Sequence, residues 1–317
     1  MNGRPLVSVC ITTYNQKDYI ERCITSAVSQ LPPGQLQILV ADDGSTDGTR
    51  EIISRLAQAY VGTVEAVFNE VNLGPSGNLK HLVERAVGEF IAHLDGDDFW
   101  LPGKLRRQLA ELDEHPEASA VVSNAWVIDP QGRPLGLFTS AKVEDIDLEF
   151  LVDSGNFICH ASLLYPRRNV SAVLELPVPF IDYRLMVKLA ALSPLRYVDA
   201  PLVGYSWSMP TSMRAKLDSL VGINYWQALV EASRLGCSDT AFRHGVSIFF
   251  ERILVKSIVQ RQPAVAIAWI ARLRAESPVG IDTAILTGFF RVPLAIGRFF
   301  RRRGAARFMK RVVLYPR

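Results

Sequence analysis

The 317-residue chain has only four cysteines, Cys10, Cys23, Cys159 and Cys237. They stand far apart with no C-x-x-C pair, which speaks against a zinc knuckle and against a disulfide framework; a reducing compartment is the simpler expectation. There is no G-x-G-x-x-G after the first apolar run and no G-x-x-x-x-G-K-[ST] anywhere. The phosphate cradles of hydride-transferring Rossmann enzymes and of P-loop ATPases are therefore missing. No run approaches the roughly 20 apolar residues of a membrane span. The opening MNGRPLVSV enters a strand-like pattern without the basic region and apolar core of a secretory signal, so a cytoplasmic location is expected. Internal repeats and low-complexity segments are absent too, and the length allows one large domain or two ordinary ones.

Positive charge is scarce outside one segment. The net charge is +3, yet nine of the 35 Lys and Arg, and none of the 32 Asp and Glu, fall in residues 291–317. The body is net acidic and the tail cationic. A nucleic-acid binder carries its basic charge over the folded domain, so no nucleic acid is expected as a partner.

What is present reads as α/β. Apolar, β-branched runs at Leu6–Thr13, Gln35–Ala41, Thr63–Asn69 and Phe90–Leu94 alternate with helical patterns at Asp18–Gln30, Thr49–Tyr60, Ser76–Val87 and Pro102–Glu114. That alternation predicts a mostly parallel sheet flanked by helices. Ala120–Ile128 reads as a further strand, and the pattern loosens from there to Asp153. GNFICHASLLYP reads as a turn and a strand, FIDYRLMVKLAAL as a helix opening near Asp182, and RYVDAPLVGYSW as two short strands. From about residue 216 the pattern is helical only: Lys216–Leu235, Asp239–Gln260, Pro263–Ala275 and a last helix from about Ile281. The division expected is 1–215 and 216–317.

The strand ends carry the chemistry. TTYNQ, DDGSTDGT and DGDD follow the first, second and fourth runs, and in open α/β sheets the carboxyl ends of strands are where ligands bind. DDGSTDGT has two readings. It is an Asp-Gly turn followed by a capped helix, or a pair of carboxylates that accepts hydrogen bonds from a nucleobase imide or a ribose hydroxyl. DGDD places Asp95, Asp97 and Asp98 within four residues. It is either a charged loop ahead of a helix starting at Pro102 or an oxygen site for a hard cation. Mg²⁺ and Mn²⁺ prefer carboxylates, and Mg²⁺ is commonly shared between one or two of them and substrate phosphates. Such an ion would relieve the repulsion among the three carboxylates.

Five segments in order, VSVCITTYNQKDYIERCITSAVSQ, ILVADDGSTDGT, NEVNLGPSGN, GEFIAHLDGDDFWLPGKL and FIDYRLMVKLA, resemble the nucleotide-diphospho-sugar transferases of glycosyltransferase family 2. The likeness covers about residues 5–212. It implies the GT-A fold, a Rossmann-like mostly parallel sheet flanked by helices, here followed by a C-terminal helical region. It also implies a nucleotide-diphosphate-sugar donor, a glycan or lipid-linked glycan acceptor, and Mn²⁺ or Mg²⁺ as cofactor. By the same likeness Thr12 and Tyr14 line the nucleotide pocket, Asp43 with Asp42 beside it reads the base, and Asn78 belongs to the donor site. Asp95 and Asp97 form the D-x-D that faces diphosphate and metal, and Asp98 assists either. Asp182, at the head of its helix, corresponds to the general base of an inverting transfer; without the likeness it reads as a helix cap.

Three positions depart from the family pattern. Gly77-Asn78 stands where Arg-Asn is usual, which moves a base or phosphate contact to Lys80 or His81 or removes it. Ile181-Asp182 stands where Glu-Asp is frequent, and Trp207-Ser208 where a His is frequent, which leaves a metal or diphosphate contact unassigned. His160 and Trp207 are candidate acceptor or diphosphate contacts, each with a structural alternative: a satisfied histidine and a large core residue.

In the tail, Ile285, Phe289, Val292, Ile296 and Phe299 recur at helical spacing, with Arg291, Arg298 and Arg302 opposite. A basic helix with an aromatic-rich apolar stripe suits the interface of an anionic bilayer. The alternative is a stripe packed on the body with the arginines in water. Residues 281–311 are thus expected to meet a membrane surface, which makes the protein peripheral at the inner face of the cell membrane. The processive Q-x-x-R-W motif is absent, and a single transfer per encounter is expected, in cell-surface polysaccharide or lipopolysaccharide-type biosynthesis. The rival expectations are a catalytically silent nucleotide-sugar-binding scaffold and a nucleotidyltransferase.

Overall fold

The computed structural model describes residues 4–207, 220–293 and 312–315. Four parallel strands, β1 (Val7–Thr13), β2 (Leu36–Asp42), β3 (Val64–Phe68) and β4 (Phe90–Asp95), are joined by helices α1 (Ile20–Val28), α2 (Thr49–Ala59) and α3 (Gly74–Arg85). Next come β5 (Phe99–Trp100), α4 (Lys104–Glu114), β6 (Ala120–Ile128), β7 (Pro134–Thr139), β8 (Asp145–Ile146), α5 (Leu148–Ser154), β9 (Leu164–Pro166), α6 (Ser171–Leu174), α7 (Asp182–Leu192) and β10 (Leu195–Ser206). The C-terminal part holds α8 (Leu220–Arg234), α9 (Asp239–Gln260), α10 (Pro263–Glu276), a helix over residues 282–293 (α11) and β11 (Val312–Tyr315).

Among the described residues these strands make one sheet, ordered β11-β7-β6-β9-β4-β1-β2-β3, with β10 paired to β6 and carrying β5 and β8. β1 is central and reads VSVCITT because helices cover both of its faces, as a parallel sheet requires. Val9 and Ile11 enter one apolar cluster and Cys10 the other, the alternation expected along a strand. The cluster containing Cys10 runs through α3, α5 and α7 into α8, α9 and α10, so the C-terminal helices share a core with the sheet.

The architecture is the α/β sheet with helical C-terminal region expected from the sequence, with four differences. RYVDAPLVGYSW is one strand, β10, whose register shifts around Pro201, a residue with no N–H to give the ladder. The loosely patterned stretch after Ile128 contains β7 and α5, and Asp147 caps the latter by accepting from Phe150 N at 2.7 Å. β11 is a strand that the sequence pattern does not signal; it pairs in parallel with β7 at the sheet edge.

The fourth difference concerns α11. Ile285 and Val292 are buried, as are Ile281 and Ala284, and the Phe289 ring meets Phe250 edge-on at 5.4 Å. Arg291 is only partly exposed: it pairs with Glu251 at 3.1 Å and donates to His244 Nε2 at 2.7 Å. Leu286 and Phe290 remain exposed. Ile296, Arg298, Phe299 and Arg302 lie outside the described residues, and no described helix is long and apolar enough to cross a membrane.

Candidate active site

β1 lies between β2 and β4, and the connections leaving it in the two directions open a crevice at its carboxyl end. Register places Thr12 beside Asp95 and Thr13 beside Asp42. The rim therefore has a β2 side carrying Asp42 and Asp43 and a β4 side carrying Asp95, Asp97 and Asp98.

On the β2 side the two aspartates do different work. Asp42 is fully buried and takes Arg50 Nε at 2.7 Å, with Gly44 N and Ser45 N on the same oxygen. Asp43 anchors the following loop by accepting from Asn69 Nδ2 (2.9 Å), Leu73 N (2.8 Å) and Gly74 N (2.9 Å). Asn78 joins this network: its amide donates to Ala41 O and accepts from Asn69. Lys80 and His81, the alternatives for the missing Arg, are turned to Leu176 O and to Asn69. Tyr14 is half exposed above this side, a ring open to stacking.

The β4 side concentrates charge. Gly96 leaves no room for a Cβ, which would meet Gln16 and Thr13, so the loop turns tightly and brings its carboxylates together. Asp98 is buried and accepts from Ser206 N at 2.8 Å, and the Ser206 hydroxyl donates to Asp97 O. β10 itself is held close by β5, where a Cβ on Gly204 would strike the Phe99 ring. Thr12 Oγ1 reaches Asp95 at 3.5 Å.

Burial raises the pKa of all three aspartates. Asp97 is pushed up to about 6 by burial and then by the Asp95 charge, against the Gln16 hydrogen bond and Arg22. Asp98 is driven well above the usual carboxylate range by burial, then by Asp97 and Asp95. Asp95 is raised by burial and by Asp182, while His160 opposes the shift. Two basic side chains therefore flank the cluster. Arg22, lying 4.0 Å over the Phe99 ring and donating to Ser206 Oγ at 3.3 Å, serves Asp97 and Asp98. His160 serves Asp95. Neither replaces an ion pair: among the described residues no Lys or Arg lies within 4.0 Å of Asp95 or Asp97.

The third face comes from the segment after α5. Asp182 opens α7, and its Oδ1 accepts from Tyr183 N at 2.8 Å and from Asn156 Nδ2 at 3.2 Å. Its charge is felt by Asp95 and by Cys159, whose thiol is pushed well up by burial and by Asp98, Asp95 and Asp182. Asp95, His160 and Asp182 thus lie close enough for their charges to act on one another. The His160 ring lies 5.0 Å from the buried His93, and its Nδ1 is buried with no hydrogen-bond partner among the described residues. Trp207 packs against the core through β6, its N–H on Ile128 O at 2.7 Å. A separate surface cavity of about 630 Å³ lined by Arg184, Trp226 and Glu231 holds none of the rim residues.

Sequence patterning does not single out Arg22, Asn69, Asn156 or Ser206. Arg22 and Ser206 meet across 184 positions, a proximity that only the fold creates. Asn156 had one available signal, a Gly-Asn turn just ahead of the strand-like FICHASLLYP. Lys104 is a further buried cation: its amine lies 4.0 Å over Trp100 with no hydrogen-bond partner, and burial pushes its pKa well down.

Comparison with known proteins gives a consistent picture. Residues 8–163 match the family described as Glycosyl transferase family 2. The chain is 35% identical over 177 residues to the Escherichia coli UDP-Glc:alpha-D-GlcNAc-diphosphoundecaprenol beta-1,3-glucosyltransferase WfaP, covering 56% of this chain and 66% of that one. It is 31% identical over 184 residues to the uncharacterized protein Rv1520 of Mycobacterium tuberculosis, covering 57% and 53%. The match thus spans about half the length of several curated relatives. Among solved structures, S. aureus TarS 1–349 in complex with UDP-GlcNAc superposes with a TM-score of 0.59 at 18% identity, over 78% of this chain and 72% of that one. The mannosyltransferase PcManGT from Pyrobaculum calidifontis, in complex with GDP-Man and Mn²⁺, superposes with a TM-score of 0.55 at 20% identity, over 95% and 81%. The fold is GT-A.

The raised pKa of Asp97 has a measurable consequence. An acid whose pKa is higher in the native state than in the unfolded chain holds more protons when folded, so its contribution to stability falls as pH rises between the two values. Metal-free protein should lose on the order of 2 kcal/mol from this group between about pH 4 and pH 6. In Asp97→Asn that part of the slope should vanish in urea denaturation followed across the same window; identical slopes in the two proteins would contradict it.

Proposed function

Since residues 8–163 form a glycosyl transferase family 2 domain, we propose that the protein is an inverting, non-processive glycosyltransferase. It moves one sugar from a nucleotide-diphosphate-sugar to a glycan or lipid-linked glycan, in cell-surface polysaccharide or lipopolysaccharide-type biosynthesis. The observation that carries the reading is the crowding of Asp95 and Asp97 at the carboxyl end of the sheet near enough to Asp182 for its charge to act on Asp95. The relatives named for teichuronic acid biosynthesis in Bacillus subtilis and for glucosyl transfer to a diphosphoundecaprenol-linked sugar in Escherichia coli support it.

On this reading the donor base stacks on Tyr14 beside Thr12, in the pocket whose floor Asp42, Asp43 and Asn78 hold together. Asp182 takes the proton from an acceptor hydroxyl as that oxygen bonds the anomeric carbon from the face opposite the diphosphate, and the bond to the diphosphate oxygen breaks. Asp98 braces the D-x-D loop on Ser206, and His160 and Trp207 border the acceptor side.

The donor set suits a divalent cation. Asp95 and Asp97 are crowded oxygen ligands with raised pKa values and no ion pair. Among the described residues no three His, Cys, Asp or Glu converge to hold a metal alone, so diphosphate oxygens would complete the shell. Mn²⁺ or Mg²⁺ held there would supply stabilisation of the departing charge.

We assign the tail a local role at an anionic membrane surface, which makes the protein peripheral at the inner face of the cell membrane. The basic run and the exposed Leu286 and Phe290 support this. Because α11 is built into the core, truncation from 281 would disturb the fold; replacing Arg301, Arg302 and Arg303 by Ala is the cleaner change. That variant should lose most flotation with anionic liposomes, while neutral liposomes bind neither protein. Equal flotation on anionic lipid would end the membrane assignment.

The enzymatic reading is tested with UDP-glucose, UDP-N-acetylglucosamine and GDP-mannose in the presence of Mn²⁺. Asp97→Ala and Asp182→Asn should each lower turnover by at least about 10²-fold while keeping wild-type circular dichroism. Wild-type rates in Asp182→Asn would remove it as the base, and no turnover of any donor by the native protein would favour a silent scaffold.

A further inference from the structure

Asn156 is not among the site residues expected from the sequence, yet its side-chain amide nitrogen, its side-chain oxygen and its backbone N–H are each engaged. The side-chain amide donates from Nδ2 to Asp182 Oδ1 at 3.2 Å, Oδ1 accepts from Ile158 N at 3.4 Å, and the backbone N–H donates to the Tyr225 hydroxyl at 3.3 Å. These partners fix the orientation of the amide, since a carboxylate only accepts and a backbone N–H only donates. The preceding Gly155 has φ 68, the left-handed region that favours glycine, and this turn ends α5 and delivers Asn156 to the head of α7.

The consequence for Asp182 is an asymmetry between its two oxygens. Oδ1 is taken by Tyr183 N and Asn156 Nδ2. Among the described residues Oδ2 has no hydrogen-bond donor. A carboxylate held by one oxygen presents the other in a fixed direction.

The hold continues into the C-terminal helices. Tyr225 of α8, besides taking the Asn156 N–H, stacks on Tyr183 with ring centres 4.5 Å apart and planes 18° apart, and Phe249 of α9 stacks on its other face at 5.3 Å. Tyr183 is the residue next to Asp182. The same aromatic column therefore grips both sides of the carboxylate, through the Asn156 backbone and through the ring adjoining Asp182.

We propose that Asn156 is a positioning residue: it fixes Asp182 through Oδ1, so that Oδ2 is the oxygen that receives the acceptor proton, and Tyr225 holds Asn156 in register. This rests on the reading of Asp182 as the base. The groups facing that carboxylate are Asp95 from β4, Cys159 ahead of the turn at 160–162, Tyr183 from α7 and Tyr225 from α8 by way of Asn156.

The test compares Asn156→Ala, Asn156→Asp and Asp182→Asn, using whichever of UDP-glucose, UDP-N-acetylglucosamine and GDP-mannose the native protein turns over with Mn²⁺. Asn156→Ala should lower kcat on the order of tenfold to hundredfold with the donor KM unchanged within about twofold. Asn156→Asp sets a second carboxylate against Asp182 and should move the acidic limb of the kcat–pH profile upward by about one unit, a shift that a structural role would not produce. Asp182→Asn should be inactive. An inactive Asp182→Asn with a wild-type kcat in Asn156→Ala or an unmoved limb in Asn156→Asp overturns the role of Asn156 and leaves the base standing. An active Asp182→Asn overturns the reading beneath it. Should Asn156→Ala lose its fold by circular dichroism, the nearly isosteric Asn156→Asp decides alone.

Discussion

Like charges packed at the end of β4 set the terms for everything around them. Three carboxylates on a loop too tight to admit a Cβ at Gly96 cannot all ionise in a partly buried site without compensation. The fold answers with graded help: Ser206 N for Asp98, Arg22 at arm's length for Asp97 and Asp98, Gln16 for Asp97 and His160 for Asp95. The compensation is incomplete by construction, and Asp97 is left with a pKa near 6. On the proposed reading, a rim that keeps this residual repulsion would favour a cation together with a polyanion, and electrostatic cost in the free protein would become binding energy for a donor.

The opposite wall shows the same economy in hydrogen bonds. Asp43 uses both oxygens on the loop that follows β3, which ties that loop to the end of β2. Asp182 spends only one. Its wall is built by residues from α5, α7 and α8, which is why the C-terminal helices are continuous with the sheet's core instead of forming a separate body. The two sides meet electrostatically at Asp95, which feels both His160 and Asp182.

Much of this was legible in the sequence because it is local. The helix over Asp239–Gln260 starts at a Ser238 cap that accepts from Ala241 N, and Ala120–Ile128 is a mostly apolar run between loops; both have the bounds their patterns imply. The polar strand ends converge because a parallel sheet puts all carboxyl ends on one rim. What stayed hidden is long-range. Nothing near Arg22 announces Ser206, and nothing near Arg291 announces Glu251, so a residue that helical periodicity sets on the polar face is tied to the body by an ion pair. Pro201 misled in another way: it interrupts the ladder without ending the strand. β11 pairs with β7 across most of the chain length, and four residues carry too little pattern to show it.

The central claim is that Asp95 and Asp97 are held crowded, with raised pKa values, so that a divalent ion and a diphosphate can enter together. Calorimetric titration of Mn²⁺ into protein saturated with UDP or GDP at pH 6, run in two buffers of different ionisation enthalpy, measures the protons displaced. The account predicts tight Mn²⁺ binding only with the nucleotide present, release of a substantial fraction of one proton, and loss of that release in Asp97→Asn. Binding of Mn²⁺ to the native protein with no proton released, or an unchanged release in Asp97→Asn, would contradict it.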